Sequence, residues 1–498
     1  MTPDDNLSGF NHLSQSAGDL PVTFQHAATL RQLRLSRRRA LQIGGLGMLG
    51  LTMQHFLPAG ITSSGLLTPG TARAMEPLPA RKPTAKSVVF LFQWGGPTQF
   101  ETFDMKPDAP DGIRGQFRPM SSVVPGMPVC DKLPNMAKIM DQVTLIKSMT
   151  HTMKNHNSAA YYALTGKAPP VDDIRLRDTI ELFPAYGSIV DHLSPNAPGV
   201  PTFAALPHVI SDGSVSPGQH ASFLGKRHDP LLVTEDPNGA DFRLPELSLP
   251  SDVSVERLRD RRALQALIDD QLRLREQSTA AKNMDETYAK ALALITNDAV
   301  KRAFDLSSES AAMRDRYGRT TYGQSLLLAR RLVQAGVKFI NVYFAQGIGG
   351  QSTKEGGWDT HGFNNTHMYP IIEKFHLPLL DQTLPVFLTD LREQGLLDDT
   401  LVVWVGEFGR TPKLNGQASR DHWPQCYTAL LAGGGTKRGF VYGSSDKDGA
   451  YPASDPVRPD DLAATMFAAL GLSPETEVRD AQQRPLAIAG RVVEEVFA

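Results

Sequence analysis

The chain has 498 residues, of which 41% are hydrophobic and 21% are charged, and its formal net charge is −2. This composition is that of a globular protein, and the near-neutral charge gives no basis for binding to nucleic acid or to an acidic membrane surface. Only two cysteines occur, Cys130 and Cys426. They allow one disulfide at most and no cysteine-rich zinc site, so a bound metal would need carboxylate, imidazole or carbonyl ligands.

Residues 1–74 have the features of an N-terminal extension with an export signal. The stretch "LSRRRALQIGGLGMLGLTM" joins an arginine cluster to an apolar run that is too short and glycine-rich to span a membrane comfortably. It resembles a twin-arginine signal, and Ala72-Arg73-Ala74 offers a cleavage site. A basic disordered tail and an uncleaved anchor are the alternatives. We expect a periplasmic or otherwise exported protein, passed to the twin-arginine export machinery, without a stable transmembrane span in the mature chain.

The rest of the chain alternates predicted strands and helices. Continuous apolar runs that end near glycine or polar residues predict buried strands, as in "KSVVFLFQWGG", "QVTLIKSMTH", "VKFINVYFA", "TLVVWVGEFGR" and "CYTALLAGGG". Helical patterns lie in "SLLLARRLVQAG", in the proline-marked "MYPIIEKFHLPLLDQTLPVFLTDLREQG" and in "PDDLAATMFAALG". This alternation predicts an α/β domain over residues 85–498, with a mostly parallel sheet sandwiched by helices and a helical insertion at about 254–317.

Polar side chains cluster where the predicted strands end, which is where ligands bind in open α/β sheets. They are Thr98, Glu101, Asp104, His151, His156, Asp359, His361, Glu407, Arg410, Asp421 and His422. Carboxylates mixed with imidazoles suit a divalent metal such as zinc, manganese, iron, magnesium or calcium, with the identity left open. Asp359 and His361, two positions apart, can point the same way on an extended segment, whereas Asp421 and His422 diverge in a regular strand.

Each of these residues also has a purely structural interpretation. Asp359 is more often a turn or cap residue than a ligand, and His422 beside Trp423 is often a packed histidine. Glu407 can neutralise Arg410, and Thr98 can cap a helix that follows Pro97. Their joint occurrence at several strand ends favours a site.

Seven segments in order resemble bacterial domain-of-unknown-function family 1501, which is grouped with the alkaline phosphatase/sulfatase-like superfamily. They are "GGPTQFETFDMKP", "HNSAAYYALTG", "GGWDTHGFN", "GEFGRTP", "RDHWP", "AGGGTKRGFVYG" and "RPDDLAATMFAALG". The resemblance implies an alkaline phosphatase-like fold with a metal site at the carboxyl edge of the sheet. It implies metal ligation by Asp359, His361, Glu407, Asp421 and His422. Thr98 would then be the nucleophile.

The chain also departs from the superfamily pattern. Gln93 and Trp94 stand where an aspartate usually ends the first strand, and Glu407-Phe408 replaces an Asp-His pair. An additional candidate site comprises Glu101, Asp104, His151 and His156. The leading hypothesis is an exported metal-dependent hydrolase of phosphate or sulfate esters, in which Arg410 holds the anionic ester. The alternative is a non-catalytic periplasmic binding or assembly protein that retains the fold, with or without a structural metal.

Overall fold

The computed structural model describes residues 82–240, 242, 293, 296–347, 356–362 and 367–498. Residues 1–74, where the export signal is predicted, and residues 254–292 of the predicted insertion lie outside this part of the chain. Pro77–Ala498 form one compact unit. None of the helices in the described residues is long and apolar enough to cross a bilayer.

An eight-stranded sheet forms the centre of this unit. Its strands are β1 (Ser87–Phe92), β4 (Val143–Met149), β5 (Phe203–Leu206), β6 (Leu231–Leu232), β7 (Phe339–Tyr343), β8 (Thr400–Val405), β11 (Tyr427–Ala432) and β12 (Phe440–Tyr442). Their order is β12-β4-β11-β8-β1-β7-β5-β6. Of these eight described strands only β11 is antiparallel to its neighbours, β4 and β8. The seven parallel strands therefore end at the same edge.

Alternate residues of the central strand β1 enter two separate cores. Val89 and Leu91 pack on one face of the sheet, and Val88, Phe90 and Phe92 pack on the other. All five side chains are fully buried, because a strand covered on both faces has no solvent-facing side. This explains the unbroken apolar run in the sequence, and it confirms the predicted α/β sandwich.

Helices cover both faces. One face is covered by α4 (Asp298–Phe304), α6 (Thr321–Gln334) and α8 (Leu377–Glu393), and the other by α2 (His156–Thr165), α3 (Tyr186–Leu193) and α9 (Pro459–Ala469). Three more α-helices lie in the described residues: α1 (Pro134–Ala137), α5 (Ala311–Tyr317) and α7 (Met368–Ile371). A π-helical turn, Ile372–His376, joins α7 to α8. Pro378 has no N–H to continue regular helical bonding there, which fits the local widening.

Short elements complete the described fold. Small strands are β2 (Pro119–Met120), β3 (Val129–Cys130), β9 (Gly409–Arg410), β10 (His422–Trp423), β13 (Ser444–Ser445), β14 (Pro452–Ser454), β15 (Glu477–Arg479) and β16 (Pro485–Ala487). Short 3-10 helices are Gln99–Glu101, Met140–Gln142, Ser222–Leu224, Lys226–His228, Leu306–Ser308, Leu397–Asp399 and Glu494–Val496. The antiparallel β9–β10 ribbon is the one that bears on function, because it places Arg410 opposite His422.

Candidate metal centre

Asp359 lies at the centre of a buried cluster beyond the carboxyl ends of the parallel strands. Its Oδ1 is 3.0 Å from Nε2 of His422 and 3.4 Å from Nε2 of His156. Its Oδ2 is 3.2 Å from Nε2 of His361. Arg410 donates to Oδ1 at 2.9 Å. The fold thus brings together one carboxylate, three imidazoles and one guanidinium from four separate parts of the chain.

Glycine at position 95 allows the segment that carries Asp359 to approach the end of β1. The backbone N–H of Trp358 donates to the carbonyl of Trp94 at 2.8 Å. A Cβ on Gly95 would lie 2.4 Å from the backbone nitrogens of both Trp358 and Asp359, and Gly95 has φ of +103°. A larger residue would be excluded by contact and by backbone conformation. Gly95 therefore allows the backbone of Asp359 to lie close to the end of β1.

Two of the histidines are held with Nε2 facing Asp359. Nδ1 of His422 donates to the carbonyl of Lys154 at 2.9 Å. Nδ1 of His156 is 2.7 Å from Oε1 of Glu407, a carboxylate that also accepts from the N–H of Gly95 at 2.9 Å. Such partners at the outer ring nitrogen are what orient metal-binding histidines in proteins.

This arrangement fits a cation. A carbonyl oxygen can only accept, so Nδ1 of His422 carries the proton, and in the neutral ring Nε2 presents a lone pair to the carboxylate. Nε2 of His156 is buried and has no hydrogen-bond partner among the described residues. One nitrogen of each histidine and one oxygen of Asp359 lie within 4.8 Å of one another. Two imidazoles and one carboxylate form a common donor set for a zinc-type ion that keeps an open position.

The charges in the cluster shift its pKa values in opposite directions. Burial lowers the pKa of His422 to about 4, although Asp359, which would accept a hydrogen bond from a protonated Nε2, opposes that change. Burial also disfavours the charged form of His156, but Asp359 and Glu407 outweigh it and raise the pKa of His156 to about 9. The three histidines and Arg410 hold the pKa of Asp359 well below its ordinary value, against the effect of burial. Asp359 is therefore ionised.

Aromatic rings surround the two inner histidines. The ring of Phe408 stacks on His422 with centroids 4.4 Å apart, and it lies 4.9 Å from His156. Trp94 meets His156 edge-on at 5.4 Å. Trp94 and Phe408, two of the four residues named above as departures from the superfamily pattern, thus form apolar walls of the cluster. His361 and His422 keep 24% of their side chains exposed, so the cluster opens to solvent on their side.

Arg410 is fully buried and its donors bond to protein acceptors. Nε donates to the carbonyl of Gly96 at 2.9 Å, and Nη1 donates to that of Arg420 at 3.2 Å. Nη2 bonds Asp359 and the carbonyls of Gly95 and Trp358. The sequence predicts that Arg410 holds an anionic ester. In the structure its donors instead join the loops around Asp359.

Thr98, Glu101 and Asp104 lie in other networks. The Thr98 hydroxyl donates to Oε2 of Glu101, whose carboxylate pairs with Arg420 at 2.8 Å. Asp104 lies 3.2 Å from Nζ of Lys106 and accepts from Ser445. Among the described residues, no direct hydrogen bond or ion pair joins these three side chains to the Asp359 cluster.

His151 and Asp421 are placed apart from the cluster as well. Nε2 of His151 donates to the carbonyl of Glu407 at 2.6 Å and its Nδ1 accepts from the N–H of Met153, so both ring nitrogens are engaged. Burial lowers the pKa of His151 to about 4. The exposed Asp421 accepts from Asn415 at 2.9 Å. It diverges from His422, as adjacent residues of an extended segment do.

Two residues lie elsewhere in the site than the sequence predicts. The sequence predicts His156 in an additional site, but its Nε2 faces Asp359. The sequence predicts Glu407 as a ligand, but its carboxylate contacts Nδ1 of His156, on the side of the ring away from Asp359. The contribution of the Lys154 carbonyl was missed, and so were those of the Trp94 carbonyl and the Gly95 N–H. Backbone groups leave no signal in a sequence, so only the "GG" after β1 could have pointed to a close approach.

The fold and the site together define a class: an α/β protein with a buried Asp–His cluster at the carboxyl edge of its sheet. The chain belongs to the DUF1501 family, described as proteins of unknown function, and the match spans residues 85–497. No curated protein matches the chain.

Several solved structures are similar to the chain at low identity. The PsFucS1 sulfatase from Pseudoalteromonas sp. is 12% identical, with 84% of this chain and 76% of that chain covered and a TM-score of 0.39. A protein in the alkaline phosphatase superfamily from Vibrio parahaemolyticus is 12% identical, with 86% and 76% covered and a TM-score of 0.40. The lipoteichoic acid synthase LtaP from Listeria monocytogenes is 10% identical, with 78% and 73% covered and a TM-score of 0.36. Identities this low establish no shared activity.

Proposed function

We propose that the protein is a metal-dependent hydrolase of phosphate or sulfate esters that acts outside the cytoplasm. The observation that supports this most strongly is the orientation of His156 and His422. Each has its Nδ1 engaged by a fixed partner, and each directs Nε2 to Oδ1 of Asp359. Three ligands that are aligned before an ion binds are typical of a metal centre and costly without one.

The residues divide into ligands and supports. His156, His422 and Asp359 would hold a divalent ion, and His361 lies at the exposed side, where a substrate would enter. A divalent ion in such a setting lowers the pKa of a bound water and polarises an ester oxygen.

The residues around the proposed ligands, here called supports, keep the ligand atoms fixed; they are Glu407, Arg410, Phe408 and Trp94. Glu407 keeps Nε2 of His156 directed inward, and Arg410 fixes one oxygen of Asp359. Phe408 and Trp94 keep water from the inner side, which strengthens electrostatic interactions there.

Thr98 as the attacking hydroxyl stays part of this proposal. Its hydroxyl donates to Glu101, which is a suitable proton acceptor by position. Attack on an ester would require Thr98 to leave this hydrogen bond and turn towards the cluster. Export through the twin-arginine machinery rests on the N-terminal sequence alone.

Two observations favour the second candidate function, a non-catalytic binding or assembly protein with a structural metal. The guanidinium of Arg410 donates its hydrogen bonds to protein acceptors. The hydroxyl of Thr98 bonds within the buried network of Glu101 and Arg420. Neither of the two groups expected to contact an ester is free in the described part of the chain. A metal bound by the same three ligands would then hold the loops at the sheet edge together.

Activity measurements separate these functions. The full chain is assayed with aryl phosphate and aryl sulfate esters in the presence of zinc, manganese, magnesium or calcium. The hydrolase proposal predicts turnover that Asp359→Ala abolishes and that Asp421→Ala, an exposed carboxylate outside the cluster, leaves unchanged. Loss of turnover in Thr98→Ala would assign the nucleophile. Bound metal without turnover on either ester class would reject the hydrolase and favour the binding protein.

A further inference from the structure

A groove of about 620 Å³ lies beside the β9–β10 ribbon. Its walls include Pro412, Lys413, Leu414, Asp421, Trp423 and Tyr451. This volume falls in the range of small-molecule sites in proteins. None of these six residues belongs to the metal cluster or its supports.

The groove and the metal cluster use opposite faces of one ribbon. His422 and Arg410, which pair across β9 and β10, both direct their side chains to Asp359. Asp421 and Trp423, on either side of His422, line the groove. Because side chains alternate along a strand, this is the expected division. The groove is therefore a separate site, on the opposite side of the β9–β10 ribbon from the metal cluster.

Two aromatic rings form a corner in this groove. The rings of Trp423 and Tyr451 have centroids 5.8 Å apart and planes inclined at 63°. The indole N–H of Trp423 donates to the carbonyl of Ala450 at 2.6 Å, which fixes the ring. Tyr451 is 54% exposed, which is high for so large a side chain. A partly exposed, fixed aromatic surface is suited to a ligand with an apolar face.

The polar groups of the groove suit a ligand that both donates and accepts hydrogen bonds. Lys413 and Asp421 are exposed on its walls and carry opposite charges, so the lining is close to neutral. The carboxylate of Asp421 disfavours an anionic group, and Lys413 disfavours a cation. Sugar hydroxyls donate to a carboxylate and accept from an ammonium, so a neutral sugar can satisfy both.

We propose that this groove binds neutral carbohydrate, with the C–H face of a pyranose ring on Tyr451 or Trp423 and its hydroxyls bonded to Lys413 and Asp421. This site does not depend on the proposed hydrolase function. Asn415 connects the two regions, since its side-chain N–H₂ donates to the carbonyl of His361 and to Asp421. A sugar in the groove thus lies near the segment that carries His361.

Saturation-transfer NMR and calorimetry with cellobiose and lactose test the assignment on the full chain. We expect binding of at least one disaccharide, and about a tenfold loss of affinity in Tyr451→Ala, since an aromatic contact contributes on that scale. Ile180→Ala, which removes another exposed apolar side chain outside the groove, should leave affinity unchanged. Asp359→Ala should also bind as the wild type does, whatever its effect on metal binding or turnover.

Three results would overturn the proposal. They are the absence of binding by both disaccharides, equal affinity in wild type and Tyr451→Ala, and equally tight binding of an unglycosylated tetraglycine peptide. Trp423→Ala provides a second variant, in which the loss of affinity should match or exceed that of Tyr451→Ala. Circular dichroism of each variant establishes that the fold is retained.

Discussion

His156 is expected to make the metal-free protein less stable as the pH rises above neutrality. Its pKa is raised from 6.5 to about 9 in the folded chain, where Asp359 and Glu407 favour the imidazolium despite burial. A raised pKa contributes stability that is fully present below 6.5 and is lost as the pH rises through 9. The shift corresponds to about 3 kcal/mol in total, of which about 2 kcal/mol should be lost between pH 6.5 and pH 8.5.

The sign of the stability change in this pH window separates His156 from the other shifted groups. Burial lowers the pKa values of three other histidines from 6.5 to about 4, so each of them adds stability, about 0.4 kcal/mol, as the pH rises from 6.5 to 8.5; they are His151, His376 and His422. The thiols of Cys130 and Cys426 have pKa values raised from 9.0 to about 12 by burial, so they act at higher pH. A net fall in stability between pH 6.5 and 8.5 therefore reports on His156, because the three other histidines change stability in the opposite direction.

Urea unfolding of chelator-treated protein at several pH values measures this slope. His156→Gln should remove it, and His151→Gln, which changes another fully buried histidine, should retain it. Added metal should reverse the trend, because a ligand nitrogen must lose its proton before it binds. A wild-type stability that stays flat over this range would refute the reasoning, as would an unchanged slope in His156→Gln.

Two further variants test the supports of the cluster. Glu407→Gln should weaken metal binding about 10–100-fold, because it alters the partner that orients His156, and competition with a chromophoric chelator measures the change. Unaltered affinity would mean that Glu407 has no such role. Arg420→Met should lower the free energy of unfolding by about 3–5 kcal/mol, since it leaves the buried carboxylate of Glu101 without its cation. Adding Glu101→Gln to Arg420→Met should recover part of that loss, and a further fall would contradict this explanation.

The fold was predictable from the sequence because its central strands are covered on both faces. β1 and β8 appear as continuous apolar runs, and the alternation of strands with helices indicated a mostly parallel sheet. The position of β11 between β4 and β8 was not predictable. Pairing between strands that are far apart in sequence depends on tertiary packing, and the apolar pattern of β11 is the same in either orientation.

The candidate site was predictable in its residue types and less so in its roles. Asp359, His361 and His422 were expected to converge, and they do. The roles of His156 and Glu407 depend on which ring nitrogen meets which oxygen, and a sequence does not encode that directly. Arg410 was expected to meet an anion because arginine suits bidentate contacts, but its burial among carbonyls depends on how three loops meet.

Elemental analysis of the full chain, purified without chelator, tests the central claim that the Asp359 cluster binds a divalent ion. We expect about one equivalent of metal per chain, held by three protein ligands. Asp359→Ala should lose this metal and Asp421→Ala should keep it. Wild-type protein that holds no metal, even after incubation with zinc or manganese and removal of the excess, would contradict the account.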